Sequence, residues 1–297
     1  MWESCRRLVV LGLLLTLVAC SSSKESPAPP LGSGTGAQSP GDIRPVDVSG
    51  QLTAHIHNLG LDGTTLLLGT HDGLYEQRSG RQPRLLSRPP FDVMGFARAG
   101  ELWLASGHPT SAAGLPTDLG LRESRDGENW TNVSLLGSQD FHRLTVSGST
   151  VLGLSTHHGG LLMRSEDLGK TWEKLGVPGL FDVVLDPTDS SRVVATSPSG
   201  PMLSTSGGRE WRRIEGAPVI AFVAWSQGRV FGLAPDGTLY RSDSAGREWD
   251  RTAALGDDPI ALAAAGDVVA AVVGGSLVQS VDGGVHFTPR LVGLETM

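Results

Sequence analysis

Cysteine is almost absent from this chain of 297 residues, which has only Cys5 and Cys20. After residue 20 the chain can form no disulfide, and it offers no thiol nucleophile and no cysteine-ligated zinc site. Histidine therefore has no thiol to compete with as a metal ligand. Tyrosine is equally scarce, with Tyr75 and Tyr240 alone.

Clusters of basic residues are also missing. The chain has 24 Lys and Arg against 31 Asp and Glu, which gives a formal net charge of −7. Binding of DNA or RNA depends on grouped Lys and Arg side chains that neutralise phosphates. We therefore expect no nucleic-acid partner.

The amino terminus has the pattern of a targeting signal. Arg6 and Arg7 precede an apolar run at residues 8–18, which is shorter than the roughly 20 residues of a membrane-spanning helix. The run ends in LVAC at 17–20, which resembles the lipobox of bacterial lipoproteins. The resemblance implies that residues 1–19 are a lipoprotein signal peptide and that Cys20 is lipidated. The protein would then be a cell-membrane lipoprotein facing the extracytoplasmic or periplasmic side; an ordinary secretory signal and an uncleaved anchor are the alternatives.

Residues 20–45 are rich in Ser, Pro and Gly and contain almost no large apolar side chains. Such a segment cannot bury enough apolar surface to offset the entropy lost on ordering. We expect a flexible tether over 20–45 and a folded domain over 46–297. Within that domain no long segment has helical periodicity. Short apolar runs such as TLLLGTHDGLYE include Gly or Asp-Gly turns, which indicates an all-β fold.

A sequence repeat predicts the architecture. SEDLGKTW at 165–172 recurs as STSGGREW at 204–211, SDSAGREW at 242–249 and SVDGGVHF at 280–287, with a shortened copy, SRDGENW, at 124–130. The leading serines are 41, 39, 38 and 38 residues apart. A period near 40 with four short strands per unit is typical of propeller blades. With one earlier unit that lacks the motif, we predict a six-bladed β-propeller with blades at 46–90, 91–136, 137–177, 178–216, 217–254 and 255–297; seven blades are the alternative.

The pattern S-x-D-x-G-x-x-W resembles the Asp-box, or BNR repeat, of sialidases and many other propellers. We expect it to build a turn, because the Asp can accept backbone N–H groups, the Gly permits a positive φ and the Trp ring packs between sheets. Two copies are degenerate, with Ser206 and Ser244 in place of Asp. The residues with this predicted structural role are Ser124, Asp126, Trp130, Ser165, Asp167, Gly169, Trp172, Trp211, Trp249, Ser280, Asp282 and Gly284.

Seven of the eight histidines lie between residues 55 and 158. When the blades are aligned on the glycine between their first and second strands, these histidines fall at the start of the first strand or the end of the second. Both places lie on one face of a propeller, so the side chains should converge at one mouth of the central channel. The candidate ligand or metal site consists of His55, His57, His71, Met94, His108, His142, His157 and His158.

Three aspartates lie near these histidines when the blades are aligned. Asp92 and Asp140 each lie eight residues before their turn glycine, and Asp72 follows His71. Convergent imidazoles beside carboxylates suit zinc or copper, and Met94 would favour copper. The same three aspartates are candidate acid/base residues of a glycoside hydrolase. Histidines that only cap turns or line a polar channel are the structural alternative.

Two functions follow from these patterns. The segments HIH, THDGLY, SGHP and DFH between the repeats resemble secreted bacterial lipoproteins grouped as sialidase-like or glycosyl-hydrolase-like. That resemblance implies an exo-sialidase-like hydrolase of extracellular glycans, but the early sialidase motif is missing and both tyrosines fall on third strands, away from the channel. We therefore predict first a lipid-anchored propeller that binds a metal or another ligand, a glycan or a protein, at its histidine-rich mouth. A glycoside hydrolase is the second prediction, and we expect a monomer.

Overall fold

The computed structural model describes residues 45–52, 55–110, 114–155, 160–176 and 179–295. Over these residues the backbone forms 25 strands and no helix, so none of them belongs to a helix that could cross a membrane. The strands pair into six separate sheets. The predicted signal peptide and Cys20 lie outside the described residues, as do His157 and His158.

The first strand, β1 (Val46–Asp47), belongs to the last sheet, and the next twelve strands form three sheets in chain order. Sheet 1 consists of β2 (Ile56–Asp62), β3 (Thr65–Thr70), β4 (Gly73–Gln77) and β5 (Arg84–Leu85). Sheet 2 consists of β6 (Phe91–Ala99), β7 (Leu102–Pro109), β8 (Leu121–Ser124) and β9 (Thr131–Ser134). Sheet 3 consists of β10 (Arg143–Ser147), β11 (Thr150–Ser155), β12 (Leu161–Ser165) and β13 (Glu173–Lys174).

The remaining strands repeat this pattern three more times. Sheet 4 consists of β14 (Asp182–Asp186), β15 (Asp189–Thr196), β16 (Met202–Ser204) and β17 (Arg212–Arg213). Sheet 5 consists of β18 (Phe222–Ser226), β19 (Arg229–Leu233), β20 (Thr238–Ser242) and β21 (Asp250–Ala254). Sheet 6 consists of β22 (Ala261–Ala265), β23 (Val268–Val273), β24 (Ser276–Ser280) and β25 (Thr288–Val292), with β1 at its outer edge.

The first strands of the six sheets contact one another in a ring. Strand β2 contacts β6, and the series continues through β10, β14, β18 and β22, which returns to β2. Each sheet is thus a blade, and its first strand is the innermost. The described residues form a six-bladed β-propeller, as the repeat predicts, and the seven-blade alternative is wrong.

The two ends of the propeller meet in blade 6. Strand β1 pairs in parallel with β25, with Val46 opposite Leu291, and the N–H of Val48 donates to the carbonyl of Val292 over 2.9 Å. Val48 is fully buried. The first described residues therefore add a fifth strand to the last blade, although the repeat assigns them to the first.

Turn chemistry explains the regular spacing of the strands. The glycines on which the blades align, Gly63, Gly100 and Gly148 among them, adopt φ angles of 58°, 63° and 59°. Such left-handed values suit glycine because it has no Cβ to clash with the following carbonyl. Each of these turns sends the chain from the first strand back along the second.

The repeated motif forms a side-chain-stabilised turn after the third strand. In blade 3 the Ser165 hydroxyl donates to Asp167 over 2.7 Å and accepts the N–H of Gly169 over 2.8 Å. Asp167 accepts the N–H of Thr171 over 2.9 Å, and the Trp172 indole donates to the Gly169 carbonyl over 2.9 Å. Matching bonds from serine to aspartate and from backbone N–H to serine occur at Ser124–Asp126 and at Ser280–Asp282.

The degenerate copies keep a smaller version of this turn. Ser206 accepts the N–H of Glu210 over 2.8 Å, and Ser244 accepts the N–H of Glu248 over 2.9 Å. The following Trp211 packs with apolar residues of blades 3 and 4, Leu152 of blade 3 among them. Trp249 likewise packs in a cluster that joins blades 4 and 5. Both tryptophan rings therefore pack between neighbouring blades.

Candidate functional site

One face of the propeller carries those candidate site residues that the structure describes. First strands begin on this face, and second strands return to it. A cavity of about 320 Å³ occupies the channel, and His57 and Arg143 are among its lining residues. We call the end of the channel on this face the mouth. The motif turns follow third strands, so they lie on the opposite face.

The first cluster at the mouth, cluster 1, consists of His57, His71 and Asp92. Asp92 Oδ1 lies 3.3 Å from His57 Nε2, and Asp92 Oδ2 lies 2.9 Å from His71 Nδ1. The three possible ligand atoms all lie within 4.8 Å of one another. Cluster 1 spans two blades, because both histidines belong to blade 1 and Asp92 opens the first strand of blade 2.

Electrostatics keeps the carboxylate of cluster 1 ionised. Burial by itself would raise the pKa of Asp92, but its interactions with His57 and His71 outweigh burial and lower the pKa below its ordinary value. An ionised carboxylate beside two imidazoles is an anionic donor set that attracts a cation.

A β-bulge places His57 in this cluster. The β2–β3 register shifts between Ile56 and Asn58, so His57 is the extra residue. Blade 2 has the same shift between Val93 and Gly95, which makes Met94 its extra residue. A bulge re-aims a side chain out of the regular alternation. Both bulges lie six residues before a turn glycine, so they are a shared feature of these two blades.

The second cluster, cluster 2, consists of His108, Asp140 and His142. Asp140 Oδ2 lies 2.8 Å from His142 Nε2 and 3.5 Å from His108 Nε2. The Asp140 side chain is only 2% exposed. This cluster also spans two blades, because His108 ends the second strand of blade 2 and Asp140 and His142 precede the first strand of blade 3.

The two clusters share one register. In each, a histidine at the end of a second strand meets an aspartate at the start of the next blade's first strand: His71 meets Asp92, and His108 meets Asp140. The third member differs, since His57 comes from the blade before Asp92 and His142 from the blade of Asp140. The alignment on turn glycines predicts this shared face but not the pairing.

Arg143 is a functional candidate that sequence reasoning missed. Its Nη1 donates to the carbonyl oxygens of His57 over 3.1 Å and His142 over 2.9 Å, and its Nε lies 3.4 Å from Asp182 Oδ1. The Phe222 ring lies beneath the guanidinium at 5.6 Å. Burial raises the pKa of Asp182 despite the opposing charge of Arg143. A lone basic residue at the start of an inner strand was the signal available in the sequence.

The remaining candidates lie beside the clusters or outside the described residues. The His55 ring contacts the edge of His71 at a centroid distance of 5.5 Å, but His55 belongs to neither cluster. Asp72 is an exposed turn residue outside both clusters. Met94 is half-buried in its bulge. His157 and His158 lie in a segment that the structure does not describe.

Comparison with known proteins supports the fold. Neither a protein-family model nor a curated protein sequence matches this chain. Among solved structures, a GH74 xyloglucanase from Xanthomonas campestris matches with a TM-score of 0.53 and 19% identity, covering 80% of this chain and 45% of that one. YCF48 bound to a D1 peptide matches with a TM-score of 0.51 and 20% identity, covering 80% and 82%. The nidogen/laminin complex matches with 0.57 and 12%, covering 73% and 89%.

These likenesses define the class of protein as a β-propeller. The chain spans less than half the length of the xyloglucanase that it matches. At identities of 12–20% the likeness shows the fold alone. Function has to be argued from the mouth itself, because propellers support many unrelated activities.

Proposed function

We propose that this protein binds a divalent transition-metal ion, Zn²⁺ or Cu²⁺, through His57, His71 and Asp92. One observation carries the proposal. His57 Nε2 and Asp92 Oδ1 are buried and form a 3.3 Å ion pair, but neither atom has hydrogen-bond geometry to any residue that the structure describes. Buried polar atoms without hydrogen bonds are costly and rare. An ion between the two atoms satisfies both.

The spacing of the donor atoms suits such an ion. Two ligands about 2.1 Å from a tetrahedral metal lie about 3.4 Å from each other. The distance of 3.3 Å between His57 Nε2 and Asp92 Oδ1 is close to this value. His71 Nδ1 is at hydrogen-bond distance, 2.9 Å, from the other oxygen of Asp92, so an ion would replace that bond. Imidazole and carboxylate are ligands of both Zn²⁺ and Cu²⁺. Three protein ligands leave a further coordination position for a second molecule.

Calorimetric titration of the metal-stripped protein tests the proposal, with Zn²⁺ and Cu²⁺ in separate arms. We expect His71→Ala and Asp92→Asn each to weaken binding by at least about tenfold. His286→Ala is the matched control, because His286 also contacts a carboxylate, Asp282, at 2.7 Å, but in a motif turn on the opposite face. Equal binding by His71→Ala and the unaltered protein would refute the proposal.

We also propose that the protein is a lipoprotein held at the outer side of the cell membrane through Cys20. The support is the LVAC sequence at 17–20 and the Ser-rich segment after it. Cells grown with radiolabelled palmitate should incorporate label into the protein, and Cys20→Ser should abolish both label and membrane retention. Label retained by Cys20→Ser would contradict this assignment.

Glycoside hydrolysis is the second candidate function. Asp92 and Asp140 lie at the mouth, but each contacts two histidines, and Asp140 is almost fully buried. That pairing suits metal ligands better than a general acid, which needs a raised pKa. Assays with chromogenic glycosides, including a sialoside, and with xyloglucan test this function. Activity that Asp140→Asn abolishes would place hydrolysis first.

A further inference from the structure

Cluster 2 shows a second sign of metal ligation. His108 Nδ1 lies 3.0 Å from the carbonyl oxygen of Thr117. A carbonyl only accepts, so Nδ1 carries the proton, and in the neutral ring Nε2 then holds a lone pair. Metal-binding histidines commonly have this arrangement, in which a backbone carbonyl holds the distal N–H and fixes the tautomer.

The possible ligand atoms of cluster 2 lie close together. His108 Nε2 lies 3.5 Å from Asp140 Oδ2, which is also 2.8 Å from His142 Nε2. The three atoms all lie within 4.8 Å of one another, so they can ligate one cation. The low exposure of Asp140 limits screening by water and so strengthens its attraction for such a charge.

Arg143 joins this cluster to cluster 1. A single nitrogen, Nη1, donates to the carbonyl of His57 in blade 1 and to the carbonyl of His142 in blade 3. One ligand of each cluster is therefore fixed through its backbone to the same guanidinium. A shift of His57 that accompanies ion binding would be passed to His142 through these two bonds.

We infer that His108, Asp140 and His142 form a second site for a divalent transition-metal ion, and that Arg143 couples the occupancy of the two sites. The inference rests on the proposed function of cluster 1 and extends it to a pair of ions at the mouth. Arg143 is a positioning residue in this scheme, since it contacts the backbone of the ligands and not the ions.

The number of sites is measured first, by mass spectrometry of metal bound to the full chain after dialysis against Zn²⁺. We expect two ions in the unaltered protein, one in His108→Ala and one in His71→Ala. One ion in the unaltered protein, undisturbed by His108→Ala, would refute the second site and leave the proposed function standing. Binding of no ion would refute the proposed function itself.

Coupling is measured by titration with Co²⁺, whose visible absorption reports ligation at each site. His71→Ala removes metal binding at cluster 1. It should therefore lower the Co²⁺ affinity of cluster 2 about fivefold or more, a typical coupling between sites. When Arg143→Met is present, adding His71→Ala should leave the Co²⁺ affinity of cluster 2 unchanged. Arg143→Lys in place of Arg143→Met should restore part of the coupling. Persistence of the full coupling in Arg143→Met would overturn the role of Arg143.

A matched variant separates this role from general damage to the channel. Arg98 also lines the cavity, and it pairs with Asp62 on the first strand of blade 1. Arg98→Met should leave both affinities and their coupling intact. If Arg98→Met removes the coupling as fully as Arg143→Met does, the effect belongs to the channel as a whole and the inference fails.

Discussion

Arg290 donates from Nη2 to the Oε1 atom of Gln77 over 3.2 Å, although the two residues are 213 positions apart. Arg290 belongs to β25 of the last blade and Gln77 to β4 of the first. Both side chains are buried, and Arg290 also donates to Gln279 of its own blade. This contact reinforces the junction between blade 6 and blade 1, which β1 also closes.

Replacement of Arg290 should therefore weaken the closed ring. Arg290→Met keeps much of the aliphatic length but leaves two buried glutamines without their donor. We expect the free energy of unfolding to fall by about 2–4 kcal/mol, measured by urea denaturation. Zn²⁺ affinity should not change, because Arg290 does not contact the mouth clusters. An unchanged denaturation midpoint would show that the contact does not secure the ring.

Glycine at position 169 should be harder to replace than glycine at 148. Both have positive φ, 86° and 59°, but a Cβ on Gly169 would collide with the buried Leu121 of blade 2, whereas the space around Gly148 is open. We expect Gly148→Ala to cost about 1 kcal/mol and Gly169→Ala to cost about 1–3 kcal/mol more. Thermal unfolding of the two variants makes the comparison, and equal losses would contradict it.

The motif turn should make stability depend on pH. Bonds from the side chain and N–H of Thr171 and from Ser165 lower the pKa of Asp167 from 3.8 to about 2. Since the folded pKa is the lower one, the stabilisation is complete above pH 4 and disappears as the pH falls toward 2. Asp167→Asn should thus be less stable than the unaltered protein at pH 6 and equal to it near pH 2.

The degenerate copy in blade 4 offers the converse test. Ser206 stands where the complete motif has aspartate, and it already accepts the N–H of Glu210. Ser206→Asp should raise the melting temperature at pH 6, and the gain should vanish in acid. A gain that persists at pH 2 would mean that the carboxylate charge is not its source.

Met94 should separate copper from zinc. It occupies in blade 2 the bulge position that His57 occupies in blade 1. A thioether is a ligand of Cu(I) and a poor ligand of Zn²⁺. We expect Met94→Leu to lower Cu(I) affinity about tenfold and to leave Zn²⁺ affinity unchanged. Equal effects on both metals would place Met94 in a packing role.

The fold could be predicted from the sequence because a propeller repeats one local pattern. The motif serines mark blades 2 to 6 and the turn glycines mark every blade except the fourth, so together they set the number and phase of the blades. Pairing within a blade is local in sequence, so little depended on distant contacts. The parallel direction of β1 is an exception, because nothing in Val46–Asp47 shows which strand it meets.

The candidate site could be predicted in position but not in its contacts. Register alone places His71 and Asp92 on one face, because second strands end on the face where first strands begin. Which residues touch depends on the space between blades, and that is a tertiary property. The bulge at His57 also interrupts the regular alternation of β2, and no sequence pattern marks it. Arg143 escaped notice because its partners are backbone carbonyls, which no sequence pattern reveals.

Each mouth cluster draws its members from two adjacent blades, and this has a mechanical consequence. A closed ring unfolds first where two neighbouring blades are held together least strongly. An ion bound by residues of both blades strengthens that junction. Such ions would lie between blades 1 and 2 and between blades 2 and 3, while blades 4 to 6 are joined by apolar packing and by polar contacts such as Arg229–Asp267. Metal binding would then stabilise blades 1 to 3 and leave blades 4 to 6 unchanged. The two halves of the propeller would differ in their resistance to local unfolding.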